Sequence, residues 1–491
     1  MKTMKNYIGG HWAEPENTGY LDIENPTTTK VLARVPLSTP GEVEKAVDAA
    51  ADAFSTWSHT PVARRVRPLF KLNDLLRENE RELAGILVAE MGKSMTDAVA
   101  EFKRIYENIE VACGMPILQQ GDKVIGSSYG IDGEVLRLPI GVFGMIAPFN
   151  FPGMVPFWFL PYALATGNTY IVKASEVVPM TMQAIAGYID KAGFPPGVFN
   201  LINGDRTAAE ALIDNPKVKG ISIVGRSQTC RAVAERCAFL NKRFQAMGSA
   251  KNHLVAMPDA KLDMVIRNMT TSCYGCAGQR CMASSAIIGV GDMYETICQR
   301  FVEDSREIIV ADPLDAKVID EPMVMGPVIS AKSRDFIYSM IEEGIAEGAT
   351  LALDGRDIKV SGAQDGYFIG PTVFTDVKPG MKIHSTEIFG PVVVILRADT
   401  LDDAIRIINE HQYGNGASIY TQNGYWARKF KLETQAGMIG VNIGIPAPVA
   451  YLPFGGMKES QYSHIKAQGK AIIDFFTEKK IITERFFEEE V

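Results

Sequence analysis

The chain has 491 residues, 46% hydrophobic and 22% charged, with a net charge of −8 at pH 7. That length exceeds one core and suits two or three domains of an ordinary soluble protein, and the acidic balance excludes a nucleic-acid binder, which carries a basic face. Seven cysteines, an odd number in a long chain, do not make a disulfide framework and fit a reducing, cytoplasmic setting.

Residues 1–38 read as short extended pieces with turns at Gly9-Gly10 and Asn25-Pro26, and Met1 to Trp12 carries no apolar signal-peptide core. A helix follows with strong start signals: Thr39 as N-cap, Pro40 at N1 and Glu42 at N3, a capping box. Val43, Val47, Ala50, Ala51 and Phe54 then keep helical spacing. Further amphipathic helices are expected at about 61–77, 79–91 and Ser94 to Leu118. Residues 121–140 read as a hairpin-like excursion. From Gly141 the pattern alternates strand and helix. Strands are expected at Val142–Ala147, Thr169–Val172, Val198–Ile202 and Gly220–Val224. Helices are expected at Met180–Ala192, Thr207–Ile213 (opened by Thr207-x-x-Glu210) and Ser227–Cys237. Such alternation means parallel strands with crossover helices. It resumes after residue 250 with strands at His253–Met257 and Ala286–Val290 and helices from Leu262 and Met293. No apolar run of about 18 residues is uninterrupted, so no membrane span is expected. Pro152 to Val172 comes closest, and Pro156, Pro161, Asn168 and Thr169 break it.

The stretch Cys273-Tyr274-Gly275-Cys276-Ala277-Gly278-Gln279-Arg280-Cys281-Met282 concentrates the chemistry. Glycines let a backbone approach a substrate, and a guanidinium beside a thiol favours the nucleophilic thiolate. Cys281 is therefore a candidate covalent nucleophile, against the plainer reading of a small buried hydrophobe. Cys273 and Cys276 form a C-x-x-C pair, but a closed zinc site needs more ligands and the nearest histidine, His253, is isolated, so no metal is expected. The strand ending at Gly225-Arg226-Ser227 feeds a helix. This is either an anion site, built from free N–H groups and the helix dipole, or a plain turn, because the usual glycine fingerprint is absent. Arg226 adds a cation there or is simply solvated. Lys173-Ala174-Ser175-Glu176 stands at the carboxyl end of a strand, where α/β sheets bind ligands. A carboxylate there accepts from ribose hydroxyls and repels a 2′-phosphate. Asn150, in Pro148-Phe149-Asn150-Phe151-Pro152, is a rigid amide suited to an oxyanion, or it closes its own turn. Thr386-Glu387-Ile388-Phe389-Gly390-Pro391 pairs a carboxylate with an aromatic, on a ribose or in an exposed turn.

In order and spacing, these pieces and Pro453-Phe454-Gly455-Gly456 resemble the aldehyde dehydrogenase superfamily over nearly the whole chain. Within it, the chain is most similar to the CoA-acylating methylmalonate-semialdehyde dehydrogenases. The supporting stretches are Pro148 to Pro152, Ala250-Lys251-Asn252-His253, Met257-Pro258-Asp259-Ala260, Ala277 to Ala283 and Tyr413-Gly414-Asn415-Gly416. The resemblance implies an α/β fold with a Rossmann-like NAD-binding domain (1–118 and 141–249) and an α/β catalytic domain (250–449). A small β arm (119–140 and 466–491) would need a second subunit to cover its edge, giving a homodimer or homotetramer. It also implies oxidation of an aldehyde with NAD as cofactor and CoA as co-substrate, methylmalonate or malonate semialdehyde being the substrate class.

By the same resemblance, Cys281 attacks the aldehyde, and Asn150 with the Cys281 N–H holds the oxyanion. Lys173, Glu176 and Glu387 hold the riboses, Phe389 flanks the nicotinamide and Gly225 approaches the pyrophosphate. Ala147, Phe149, Ser175, Arg226 and Gly248 complete the cofactor surface. Arg104 and Arg280 hold a substrate carboxylate, which suits arginine. Hydrolytic members carry a glutamate base 34 residues before the cysteine, a count that lands here on Met247. CoA-dependent relatives carry asparagine there, so this chain departs from both, and Gly248, one residue on, is no base either. Lys458-Glu459-Ser460-Gln461-Tyr462 departs from the family pattern and is expected to border the substrate entrance. The rival readings are a hydrolytic NAD(P)-dependent aldehyde dehydrogenase and a non-catalytic NAD-binding relative.

Overall fold

The computed structural model describes residues 2–16 and 19–487. Met1 and residues 488–491, at the outer ends of the expected NAD-binding domain and arm, lie outside the described residues, as do residues 17 and 18. Thr39 opens the helix Pro40–Trp57 as its sequence dictates: its hydroxyl accepts from Glu42 N–H, and the Glu42 carboxylate accepts from Thr39 N–H. The helix expected over 61–77 is two pieces, Val62–Arg65 and Arg67–Glu78. Pro68 has no N–H to donate and cannot continue a turn, so the chain restarts there. The long helix from Ser94 likewise divides at Gly114, before Pro116, into Met95–Cys113 and Met115–Leu118. The helix expected from Thr207 begins one residue earlier, as Arg206–Asp214. Its cap is Asp205, which accepts from Thr207 N–H, while Glu210 pairs with Arg206 instead of closing a box.

Among the described residues, a first seven-stranded sheet has the order Arg243–Met247, Val218–Val224, Val142–Ile146, Thr169–Lys173, Phe199–Ile202, Asn6–Ile8, His11–Ala13. Its first five strands are parallel. The chain runs outward from Val142–Ile146 to one side and later returns to the other, so the order reverses beside that strand. Ligands bind at the carboxyl ends of strands next to such a reversal, here between Ala147 and Gly225. A second seven-stranded sheet has the order Thr350–Leu353, Thr372–Thr375, Val392–Ala398, Ala286–Val290, His253–Ala256, Gly416–Tyr420, Met438–Val441, parallel but for its first strand.

A hairpin of Lys123–Ser128 and Ile131–Pro139 is extended by Thr477–Glu484, which pairs with Asp132 to Pro139. The short helix Ile472–Phe476 just before that last strand is buried in the first core, with Phe475 and Phe476 edge-on to Phe143. No described helix is long and apolar enough to cross a membrane.

Candidate active site

The two large sheets meet with opposite ends. Ala147–Asn150, Lys173–Glu176, Gly225 and Gly248 follow the carboxyl ends of strands in the first sheet. Asn252, Cys281, Glu387–Pro391 and Asn415 precede the amino ends of strands in the second. Direct bonds join the two sets: Ala250 N–H donates to Glu387 Oε1 at 2.9 Å, and Asn150 Nδ2 donates to the Gln279 carbonyl at 3.0 Å.

The segment before Cys281 is held in an unusual backbone. Cys276, Ala277 and Gly278 have φ of 53°, 53° and 73° in succession, and the left-handed region is costly for residues with a Cβ. Outside contacts fix it. Cys276 N–H donates to Asp97 Oδ2 at 3.1 Å, Gln279 Nε2 donates to the Cys276 and Pro327 carbonyls, and Gln279 Oε1 accepts from Ile329 N–H. Gly278 must be glycine for a second reason: a Cβ there would collide with the Gly390 carbonyl oxygen.

Cys281 is half-buried, and its thiol is pushed up to about 12 by burial and by the nearby Glu387 carboxylate. The N–H groups of Cys281 and Met282 and the Arg280 charge act the other way. Its carbonyl oxygen accepts from Asn252 Nδ2 at 2.9 Å and Asn415 Nδ2 at 3.1 Å. Asn150 is buried and its amide donates to Gln279 O at 3.0 Å. Its loop is positioned by Lys93, which the sequence reading passed over. Lys93 Nζ donates to Asn150 O at 2.8 Å and to Glu101 Oε2 at 2.7 Å and sits over the Phe151 ring. Glu101 Oε1 in turn accepts from Gly153 and Met154 N–H. Burial alone would lower the Lys93 pKa, but Glu101, the Cys276 thiol and Asp97 outweigh it and keep the ammonium charged. In sequence Lys93 and Glu101 look like ordinary helix charges; only the fold makes them a buried pair.

Cys281 opens onto a cleft of about 180 Å³ that Arg104, Arg280 and Phe454 also line. Arg280 donates to the Thr271 carbonyl and lies 3.7 Å from Asp97, while its Nε is buried with no partner among the described residues. Arg104 pairs with Glu107 at 2.7 Å and its side chain is 39% exposed. Lys458 to Tyr462 does not border this cleft. Ser460 Oγ donates to Ser249 O, the Glu459 carbonyl accepts from Ser227 Oγ, and Tyr462 N–H donates to Ala246 O. Backbone pairing therefore ties that segment to the far edge of the first sheet, on the crevice side.

In that crevice the helix Ser227–Phe239 starts at Arg226 with no side-chain cap among the described residues. Ser227 N–H donates to Ser249 Oγ at 3.2 Å, and a helix N-terminus without a side-chain cap can receive an anion on its remaining N–H groups. A Cβ at Gly225 would meet nothing within 4 Å, leaving backbone access. Gly248 is closed in, its N–H on Ser460 O and its α-carbon against Ser227. Ala147 N–H donates to the Lys173 carbonyl, and Lys173 Nζ reaches Glu176 at 2.9 Å and the Gly204 carbonyl at 3.0 Å. Ser175 is buried and its carbonyl accepts from Val178 N–H. Phe149 and Phe389 meet edge to face at 5.7 Å, Phe389 with φ 58°. Glu387 is raised by burial, and its bonds to Ser249 and Ala250 and the charges of Lys251 and Arg226 oppose this. Two carboxylates and an open helix N-terminus along one crevice fit a dinucleotide with two riboses and a pyrophosphate.

Fold and site together define a class: an α/β oxidoreductase with a thiol-lined cleft beside a crevice at the carboxyl ends of the first sheet. The pattern of the aldehyde dehydrogenase family matches residues 12–482, and the chain belongs to that family. Malonate-semialdehyde dehydrogenase 1 of Geobacillus thermodenitrificans is 44% identical over 487 residues, 99% of each chain. The solved methylmalonate-semialdehyde dehydrogenase of Oceanimonas doudoroffii has a TM-score of 0.97 at 36% identity over 99% of each chain. A Sinorhizobium meliloti protein, described as a methylmalonate-semialdehyde dehydrogenase and solved with NAD, has a TM-score of 0.97 at 37% identity over 100% of this chain and 99% of its own.

Proposed function

We propose that the protein oxidises a small carboxylate-bearing aldehyde, malonate or methylmalonate semialdehyde, with NAD, and passes the acyl group to CoA. The observation that carries this is the shared cleft of Cys281, Arg104 and Arg280. Drug-sized ligands occupy roughly 300–1,000 Å³, so about 180 Å³ suits a short substrate. Arg280 lines that cleft with a mostly buried side chain, and its guanidinium suits a carboxylate through a charge-assisted bond. The names of the relatives, malonate- and methylmalonate-semialdehyde dehydrogenase, support the same class.

In this reading the Cys281 thiolate attacks the carbonyl carbon and a C–S bond forms. The displaced π pair moves to oxygen, where Asn150 Nδ2 and the Cys281 N–H receive it. Lys173, Glu176, Glu387, Phe389, Gly225 and the Ser227 helix start would hold NAD, which when bound would supply the acceptor for a hydride. The oxyanion pair re-forms the carbonyl as the C–H pair departs, leaving a thioester on Cys281. The CoA thiol then loses its proton to solvent and attacks that carbon; a new C–S bond forms as the bond to Cys281 Sγ breaks, and Cys281 leaves as the thiolate. The count that finds a base in hydrolytic relatives reaches Met247, which is buried and cannot take a proton, and a thiol needs less base assistance than water. Glu176 favours NAD over NADP by repelling a 2′-phosphate. A second copy of the chain covers the arm, in a homodimer or homotetramer.

Glu387, whose field reaches Cys281 and whose pKa burial raises, favours a second reading in which it serves as base for water. Rapid mixing separates the two. Without CoA, we expect a burst of NADH near one per site followed by slow turnover, and with CoA fast turnover to acyl-CoA. Fast steady NADH formation without a thiol, with free acid as product, selects hydrolysis.

A further inference from the structure

The motifs around Asn252 and Asn415 have no part in the chemistry above, yet both side chains converge on the nucleophile. Asn252 Nδ2 and Asn415 Nδ2 donate to the same atom, the Cys281 carbonyl oxygen, at 2.9 and 3.1 Å. A carbonyl has two lone pairs, so both are filled. Each asparagine is itself clamped. Asn252 also donates to the Ala283 carbonyl and accepts from Gly416 N–H, and Asn415 lies 3.1 Å from Met282 Sδ. Both are buried, and they stand just before the adjacent parallel strands His253–Ala256 and Gly416–Tyr420, a shared rigid base.

The Cys281–Met282 peptide is trans, as are all described peptides. In a trans peptide the C=O and the following N–H point in opposite directions. Drawing the Cys281 oxygen toward the asparagines therefore turns the Met282 N–H away from them. Among the described residues no carbonyl accepts from that N–H, and, with the Cys281 N–H and the Arg280 charge, it favours the Cys281 thiolate. Donation to the carbonyl also polarises the peptide and strengthens its N–H as a donor.

We propose that Asn252 and Asn415 are positioning residues which aim the Met282 N–H at Cys281 Sγ and so stabilise the thiolate at a half-buried, otherwise unfavourable position. This rests on Cys281 being the nucleophile. Burial and the Glu387 carboxylate both hold the thiol protonated, and the aimed N–H groups are the built-in opposition.

The test measures alkylation of Cys281 by iodoacetamide in the full-length enzyme across neutral and alkaline pH, with the labelled peptide identified by mass spectrometry. Five of the other six cysteines are buried and Cys298 lies away from the cleft. In Asn415→Leu we expect the alkylation midpoint to rise by about one pH unit, about tenfold slower labelling at neutral pH. The pH profile of kcat/KM should move with it while NAD affinity stays. Asn415→Ser, which keeps one hydroxyl donor, should fall between the two and serves in place of Asn415→Leu if that variant does not fold. An unchanged alkylation profile in a folded variant, whatever its kcat, overturns the proposal. If wild-type Cys281 is not labelled, or the labelled enzyme keeps full activity, the nucleophile assignment itself has failed.

Discussion

Arg280 and Arg104 line one cleft but are not equivalent. Arg280 is mostly buried, keeps a loose contact with Asp97 and has a donor without a partner. Arg104 is already satisfied by Glu107 and is partly solvated. If both meet a substrate carboxylate, losing one charge-assisted bond costs about 1.5–3 kcal/mol, or on the order of 10- to 150-fold in kcat/KM. Arg280→Leu should lie toward the large end for semialdehydes and Arg104→Leu toward the small end, because water screens the latter. Neutral aldehydes of similar length should be nearly unaffected in Arg104→Leu. Comparing kcat/KM for the two substrate classes checks this, and an equal loss for both would make the arginines structural. At this scale the sequence proposes residues whose neighbours in the chain carry the signal, such as Cys281 beside Arg280 and Asn150 between aromatic and proline residues, and the fold places Cys281 in the cleft and Asn150 against Gln279. It hid Asn252, Asn415 and Lys93, whose partners lie 29, 134 and 57 positions away.

The Glu387 segment is reached through the short helix Lys382–Ser385, and that helix rests on a cluster no spacing announced. His253, His384 and His411 meet with ring centroids 5.0–5.3 Å apart, and His253 Nε2 faces His384 Nε2 at 3.0 Å. Two facing ring nitrogens share one hydrogen, so at least one lone pair is required there. No group of three or more His, Cys, Asp or Glu among the described residues is arranged to hold a metal. Burial pushes His384 down to about 3 and His411 to about 4, and His253 well below its usual value. The unfolded chain therefore takes up more protons below about 6.5, and stability present above that pH is lost as pH falls toward the folded values. Glu90, raised to about 7 by burial, and Glu387, also raised by burial, act oppositely above 4.5, two groups against three. The urea midpoint should thus be lower at pH 5 than at pH 7, and His411→Asn, which keeps an acceptor for Tyr413 N–H, should flatten the slope. A wild-type midpoint that does not move over that interval would remove the histidines from the stability argument.

The alternation of helices and parallel strands was legible because each strand is a short apolar run closed by turn residues. The strands Asn6–Ile8 and His11–Ala13, which extend the first sheet, are too short and polar to declare their sheet. The third sheet was legible as an excursion, and its consequence concerns the whole molecule. It exposes apolar side chains: Ile125 is 81% exposed and Ile481 72%, and in the turn between its first two strands Tyr129 is 97% exposed. Small sheets need an apolar face packed on something, and contiguous exposed apolar side chains mark an interface. Each hydrophobic side chain buried there contributes about 25 cal/mol per Å². The strand Thr477–Glu484 also leaves one edge unpaired in this chain, where another copy can dock. Sedimentation of the 53.7 kDa chain should therefore give a dimer or tetramer at micromolar concentration. The double variant with Ile125→Lys and Ile481→Lys places two like charges on that surface and should shift the mass toward the protomer. Neither side chain enters the core, so its thermal midpoint at the protomer level should stay close to that of a diluted, dissociated wild type. A monomeric wild type, or a double variant that associates as tightly, would defeat the proposed role of the arm.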